Sequence, residues 1–326
     1  MKLNQIFRSL FRNPVNSMII IISLAIGIAC TNLIMLFVKR ELNTDNFQQN
    51  RDRIYLLKCD NPYEKGSLMS NCKQGGAEYI KENFSQVEDF CRIRFTRTRK
   101  VMIGNQIYND NLAVFETSPT FFNVFSYKLL TNNPNSVLTT KDDIVISEDL
   151  AQKYFGEKLP VNRIITIIDG NIKMDFIIKG IFRKPLENSQ FNFDMVKLSE
   201  NTERYAFLLL KDNTDPVKLE KLFAKEKDKI PVLNDGAPGK YYLKSFKQIY
   251  FDTSEYSLLG NKRERSDILI ALIIGLMIIG VASVNYLGLI NNKLFDKTPE
   301  YNIRRINGSS KVCLIFDFVI ENLIII

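Results

Sequence analysis

Two stretches decide how this chain folds: Ser17–Val38 (SMIIIISLAIGIACTNLIMLFV) and Ile268–Ile290 (ILIALIIGLMIIGVASVNYLGLI). Neither contains a charged residue, which sets both apart from a chain that is 25% charged overall. At about 1.5 Å per residue, each run reaches roughly 33 Å as a helix, enough to cross a hydrocarbon core of about 30 Å. Both read as transmembrane helices. A basic leader precedes the first run, as in a signal peptide, but the apolar core is longer than the usual h-region. It is followed by Lys39, Arg40 and Glu41 and not by a small-residue cleavage site.

Charge then orients the spans. Lys2, Arg8 and Arg12 precede the first one with no acidic residue among them, and Asn291–Lys311 (NNKLFDKTPEYNIRRINGSSK) carries five basic and two acidic side chains. The positive-inside rule places both flanks in the cytoplasm. The segment between them is then extracytoplasmic. There the balance is nearly even, so the overall net charge of +8 is a topological signal and not a nucleic-acid footprint.

The expected order is an interfacial amphipathic helix over 1–16, a first transmembrane helix over 17–42 and a periplasmic α+β core over 43–266. A second transmembrane helix covers 267–290, a cytoplasmic coupling loop or helix 291–311, and the truncated start of a third membrane helix 312–326. Within residues 2–12, Leu3, Ile6, Phe7, Leu10 and Phe11 share one helical face, which suits the headgroup layer. A stretch of 15 apolar-rich residues at the end would rise only about 22 Å, so it is too short to cross unaided.

The outer segment mixes strand and helix signals. Ile164–Ile168 and Ile172–Ile178 flank Asp169-Gly170, which predicts a tight hairpin turn with positive φ at both central positions. Ile144–Ile146 reads as a strand running into a helix that Ser147 caps and Gly156 closes. Asp215-Pro216 starts another helix. Tyr205–Leu210 and Tyr241–Phe251 read as strands.

There is no histidine and no tryptophan. Histidine-based triads, general bases and metal ligands are therefore excluded. Of five cysteines, Cys59, Cys72 and Cys91 face the oxidising side. A Cys59–Cys72 disulfide fits that setting, although three is an odd number and leaves the pairing open. No CxxC suggests a metal site. The stretch nearest to a phosphate-binding loop, Gly236–Lys240, has the wrong spacing and no hydroxyl residue, so neither an ATP site nor a cofactor is expected in this chain. Arg92, Arg94, Arg97, Arg99 and Lys100 interleave with Ile93 and Phe95, which reads first as a solvated strand face, with an anion or lipid-headgroup patch as the alternative. In the spans, Ala25, Gly27, Ala29 and Gly275 are small enough for close helix approach, and Asn285 can hydrogen-bond across helices.

These residues, taken in order, resemble the MacB/FtsX-type ABC transporter permeases. The likeness begins with Ser23–Ala29 (SLAIGIA), then Glu41-Leu42, Asp45, Phe47 and Asp52–Tyr55. It continues through Ser118-Pro119 with Phe121, Phe122 and Phe125, which is similar to the family's "SPxFFxxF". Ile144–Gly156 (IVISEDLAQKYFG), and then Asn188-Ser189 with Phe193-Asp194, resemble later elements. Glu300–Ser310 (EYNIRRINGSS) is similar to the coupling sequence "EIGIRKxxGAS", with Tyr301, Asn302 and Asn307 as departures.

The resemblance implies an inner-membrane permease, N-terminus cytoplasmic, whose periplasmic core has a porter-like part and an inserted part over roughly residues 100–197. It implies no enzymatic activity in this chain and a separate ATPase subunit that docks on Glu300, Ile303, Arg304, Arg305, Gly308 and Ser309. The ATPase would drive movement of the periplasmic domain for export, extraction or efflux. Further expected partners are the lipid bilayer, a second permease unit in a homodimer or pseudo-dimer, and a periplasmic or outer-membrane protein. A membrane-anchored sensory receptor shares the helix–domain–helix order. It should continue into a long charged signalling helix, where this chain returns to apolar residues at Val312.

Overall fold

The computed structural model describes residues 14–61, 64, 66–70, 75–156, 159–186, 188–199, 205–231, 240–252 and 262–323. The chain divides into two compact units, Asn43–Glu264 and the helical remainder. The amphipathic stretch 2–12, Cys72 and the glycines of Gly236–Lys240 lie outside the described residues.

The unit Asn43–Glu264 is built on one mixed twelve-stranded sheet. Its strands are β1 (Ile54–Asp60), β2 (Leu68–Met69), β3 (Val87–Thr98), β4 (Lys100–Ile103), β5 (Gln106–Tyr108), β6 (Leu112–Thr117), β7 (Asp143–Ser147), β8 (Ile164–Asp169), β9 (Ile172–Phe182), β10 (Met195–Leu198), β11 (Tyr205–Leu210) and β12 (Tyr241–Ser245). The spatial order is β12-β1-β11-β3-β6-β10-β7-β9-β8-β4-β5, with β2 on β1. The pairs β6/β10 and β7/β9 are parallel, and the rest are antiparallel. A single residue, Arg99, separates β3 from β4, yet five strands lie between them in the pairing order. The far half of the sheet must therefore curl round and return β8 and β4 to the end of β3.

Three apolar clusters line this sheet. The largest is aromatic: Phe115, Phe121, Phe125, Phe182, Phe191, Phe193 and Phe207 are buried together, with Phe115 and Phe193 stacked at 4.6 Å and Phe182 and Phe193 at 4.8 Å. Such pairs each add about 0.5–1.5 kcal/mol beyond area burial. A second cluster lies under the helices Gly76–Asn83 and Pro216–Lys225, and a third around the helix Glu148–Phe155. Residues 100–197 do not fold as a separate part. Strand β6 pairs with β3, and Phe115, Phe182 and Phe193 belong to the central aromatic core.

Local signals explain most boundaries. Ser147 Oγ accepts from the Leu150 amide at 3.3 Å, and Gly156 closes that helix with φ +68°. Asp215 accepts from the Val217 and Lys218 amides ahead of Pro216. Two expectations shift. The β8–β9 ladder closes on Asp169 opposite Ile172, so the loop is Gly170-Asn171 and only Gly170 takes positive φ. That sign pattern is II′, which needs positive φ only at its first central residue. Strand β12 ends at Ser245, and Phe246–Ile249 is helical. The buried Phe246 and Ile249 are three apart, the spacing of one helical face.

Among the described residues, the second unit contains two helices long and apolar enough to cross a membrane, with windows Ile22–Leu42 and Arg265–Gly288. The first belongs to α1 (Pro14–Leu42); the second opens α7 (Arg265–Ile306), which is followed by α8 (Lys311–Leu323). The helices of the sheet unit are α2 (Gly76–Asn83), α3 (Phe121–Val124), α4 (Glu148–Phe155), α5 (Pro216–Lys225) and α6 (Phe246–Ile249). Helix α7 runs 16 residues beyond Ile290, so the stretch expected as a coupling loop or helix is helical as far as Ile306. Charge ends an apolar run without ending a helix, and Lys, Leu, Glu and Arg in this stretch are all good helix formers.

Candidate functional site: a capped helix corner and a buried latch

Between α7 and α8 the chain turns within four residues. Gly308 has φ +95°, a conformation that costs roughly 1–2 kcal/mol for residues with a Cβ. Its amide donates to the Arg305 carbonyl at 3.1 Å and the Ser309 amide donates to the Arg304 carbonyl at 3.0 Å. This reciprocal pair is a Schellman closure, which satisfies carbonyls that the helix end would leave open. Ser310 then caps α8, its Oγ accepting from the Cys313 amide at 3.3 Å. The Gly-Ser-Ser of the sequence thus performs two jobs in succession: a left-handed stop and an N-cap.

The corner presents its side chains outward. Ile303 and Ile306 are 61% and 85% exposed, and Arg305 is exposed as well. Glu300 accepts from Arg304 Nη2 at 2.6 Å across one helical turn. Tyr301, a departure from the family pattern, meets the Phe318 ring of α8 edge-on at 6.4 Å, bracing the corner. Pro299 lies inside α7 and removes the amide that would bond the Phe295 carbonyl.

The two long apolar helices meet through small residues. A Cβ added to Gly27 would lie 2.9 Å from the Ala282 Cβ, and one on Gly275 would lie 3.3 Å from Ile34 Cγ2. Thr31 returns its hydroxyl proton to the Gly27 carbonyl at 2.8 Å. Ala25, Ala29 and Asn285 are exposed in this chain. Cys59 is buried on β1, while its suggested partner Cys72 is not described. Cys91 is buried beside the Thr117 hydroxyl, and burial pushes its thiol up to about 12, leaving it unreactive. Arg92 of the basic stretch is buried and paired with Glu78 at 3.0 Å, so the solvated-face reading fails there. Among the described residues, no group of three or more His, Cys, Asp or Glu is placed to hold a metal.

Sequence reasoning gave no role to a second constellation. Where the chain leaves α1, Asp45 takes φ +58° and is buried. Its amide donates to the Asn188 carbonyl at 2.8 Å, and its carboxylate accepts from Ser189 Oγ at 2.6 Å and from the Gln190 amide at 3.2 Å. Asn188 Nδ2 donates to Thr44 Oγ1 at 2.8 Å and to the Tyr250 hydroxyl at 3.2 Å. Gln48 accepts from the Ser126 amide at 2.6 Å, and Asn50 donates to the Asn123 and Val124 carbonyls. The exit segment is thus tied to two loops of the sheet unit. Desolvation pushes the Asp45 carboxyl up to about 6, against the lowering effect of its hydrogen bonds and of Arg51. The available signal was that Asp45 and Asn188-Ser189 both fall in the family-like stretches.

The MacB-like periplasmic core domain family matches residues 17–225. A domain described as part of a permease protein from Porphyromonas gingivalis is similar in fold, at 20% identity over 68% of this chain and 98% of its own, with a TM-score of 0.50. The periplasmic region of MacB from Actinobacillus actinomycetemcomitans matches at 13% identity over 64% and 95%, TM-score 0.43. The extracellular domain of the noncanonic ABC-type transporter YknZ from Gram-positive bacteria matches at 14% over 58% and 98%, TM-score 0.40. A search of curated protein sequences returned no significant match. With an α+β sheet unit, two candidate membrane helices and a family match over most of its length, the chain belongs to the MacB-like periplasmic core domain family, within the MacB/FtsX type of ABC transporter permease.

Proposed function

We propose that this chain is an inner-membrane permease subunit that converts ATP hydrolysis in a separate ATPase into movement of its periplasmic domain. The N-terminus and the α7–α8 corner lie in the cytoplasm, and Asn43–Glu264 lies in the periplasm. ATP binds the partner only. Ile303 and Ile306 supply apolar anchors, and Arg304 and Arg305 supply charge, to a groove on the ATPase. Gly308 and Ser309 fix the angle at which they are offered. Displacement of the corner then travels along α7, while Gly27–Ala282 and Gly275–Ile34 keep α1 in step. A second permease unit completes the membrane assembly, and the periplasmic domain hands the motion to a substrate or to a periplasmic or outer-membrane partner.

The observation that carries this reading is the Schellman-and-serine corner with exposed isoleucines and arginines on a helix continuous with an apolar span. The test is charge reversal of Arg304 and Arg305 to Glu in the full chain. It should reduce co-purification with the ATPase, and its permease-stimulated turnover, by tenfold or more. Unchanged complex and turnover would remove the corner from the docking surface.

A further inference from the structure

Away from the corner and the latch, Arg92 is an anomaly in the sheet unit. It lies in the middle of β3, more than nine-tenths buried, opposite Ala206 of β11. Its Nη2 meets Glu78 Oε1 at 3.0 Å, but Nε and Nη1 are buried with no hydrogen-bond partner. A guanidinium carries five N–H donors and stays protonated. Leaving buried donors of a cation unmet is among the costlier arrangements a fold can hold.

The surroundings show what would meet them. Glu78 is the third residue of α2, and its other oxygen accepts from the Gly75 amide at 3.1 Å. That carboxylate therefore sits between the buried guanidinium and the first turn of a helix, where backbone N–H groups and the helix dipole favour an anion. Gly75 takes φ +95°, and a Cβ on Gly76 would lie 3.3 Å from the Pro231 carbonyl, so this turn is shaped by glycine. Along the same sheet face, Arg94 and Lys197 share a single carboxylate, Glu116, at 3.7 and 3.1 Å. Three cations thus face two carboxylates. Glu78 is the more exposed member of its pair, its side chain 31% accessible against 10% for Arg92, so Glu78 stands on the solvent side of the pair.

We propose that Arg92 and the first turn of α2 form a binding site for a small phosphate-type oxyanion, with Glu78 as the internal carboxylate that occupies it when no ligand is bound. Phosphate displaces the Glu78 carboxylate, gains the Nε and Nη1 donors that Glu78 does not reach, and takes the helix-terminal amides. Glu78 then turns to solvent.

The two partners consequently have opposite effects, which an ordinary structural ion pair does not produce. The experiment is thermal unfolding of the full chain in detergent with inorganic phosphate, against chloride at matched ionic strength. Saturating phosphate should raise the wild-type midpoint by about 3 °C, as expected for a ligand at roughly ten times its dissociation constant acting on a domain of this size. Glu78→Gln removes the competing charge and should bind phosphate about tenfold more tightly. Arg92→Gln should abolish the response. The proposal is overturned if Glu78→Gln responds no more strongly than wild type, or if Arg92→Gln keeps the response. Should Arg92→Gln fail to fold, the comparison of Glu78→Gln with wild type decides alone.

Discussion

The Asp45 latch and the α7–α8 corner are built by opposite means. The corner is local: the Gly308–Arg305, Ser309–Arg304 and Cys313–Ser310 hydrogen bonds join residues within five positions of each other, and Ile303, Arg305 and Ile306 are exposed. The latch is non-local, joining Thr44 and Asp45 to Asn188–Gln190 across more than 140 residues, with its carboxylate sealed from water. A local, exposed element can be altered without unfolding the domain, as a docking surface requires. A buried, long-range one fails only with the fold around it, which is the property the proposed transmission of motion would need at a fixed point.

Four substitutions or conditions sharpen that contrast, from the largest effect to the smallest. Asp45→Ala removes the acceptor of the buried Gln190 amide and leaves the Ser189 hydroxyl with only its Tyr127 and Phe191 contacts. We expect a loss of about 2–4 kcal/mol in the sheet unit, read by calorimetry of the full chain, with no change at the corner. Gly308→Val places a β-branched residue at φ +95°. It should cost roughly 1–2 kcal/mol locally and lower ATPase stimulation severalfold while the melting of the sheet unit stays the same.

The third is pH. Because the Asp45 carboxyl is raised to about 6, the folded state holds a proton that the unfolded chain has released above about pH 4. Its contribution is full below the unfolded value and is lost as pH rises through 6. Between pH 5 and 7.5 this amounts to about 1 kcal/mol. Asp110 and Asp143 are shifted the other way, so the effect is to be read as the difference between wild type and Asp45→Asn. Equal pH slopes in the two proteins would contradict the assignment. Smallest is Glu300→Gln, which removes a solvent-exposed i,i+4 pair worth about 0.3–0.5 kcal/mol. No shift in melting is expected.

The same contrast explains what was legible in the sequence. Ser147, Gly156 and Asp215-Pro216 act through neighbours in the chain and each marks the helix end it was read to mark, and the two apolar runs fall on helices long and apolar enough to cross a membrane. The turn after β8 was placed one residue early because Asp-Gly favours a turn without fixing its phase. A coupling helix after Ile290 was one of the two forms expected; that it continues α7 without a break is not legible, because charge marks the end of an apolar surface and says nothing about backbone hydrogen bonds. For Asp45 and Arg92 it is the pairing that was opaque. Their partners, Ser189 and Glu78, are recruited by sheet topology, which no local pattern encodes.

The central claim is that the α7–α8 corner receives a motor. Its most direct test is a photocrosslinking residue at Ile306, the most exposed apolar side chain of the corner, in membranes that contain the full chain and its candidate ATPase. An adduct of the summed mass should form with the ATPase present and be lost when Arg304 and Arg305 are reversed to Glu. Absence of that adduct, with efficient crosslinking of the same residue to lipid, would contradict the claim.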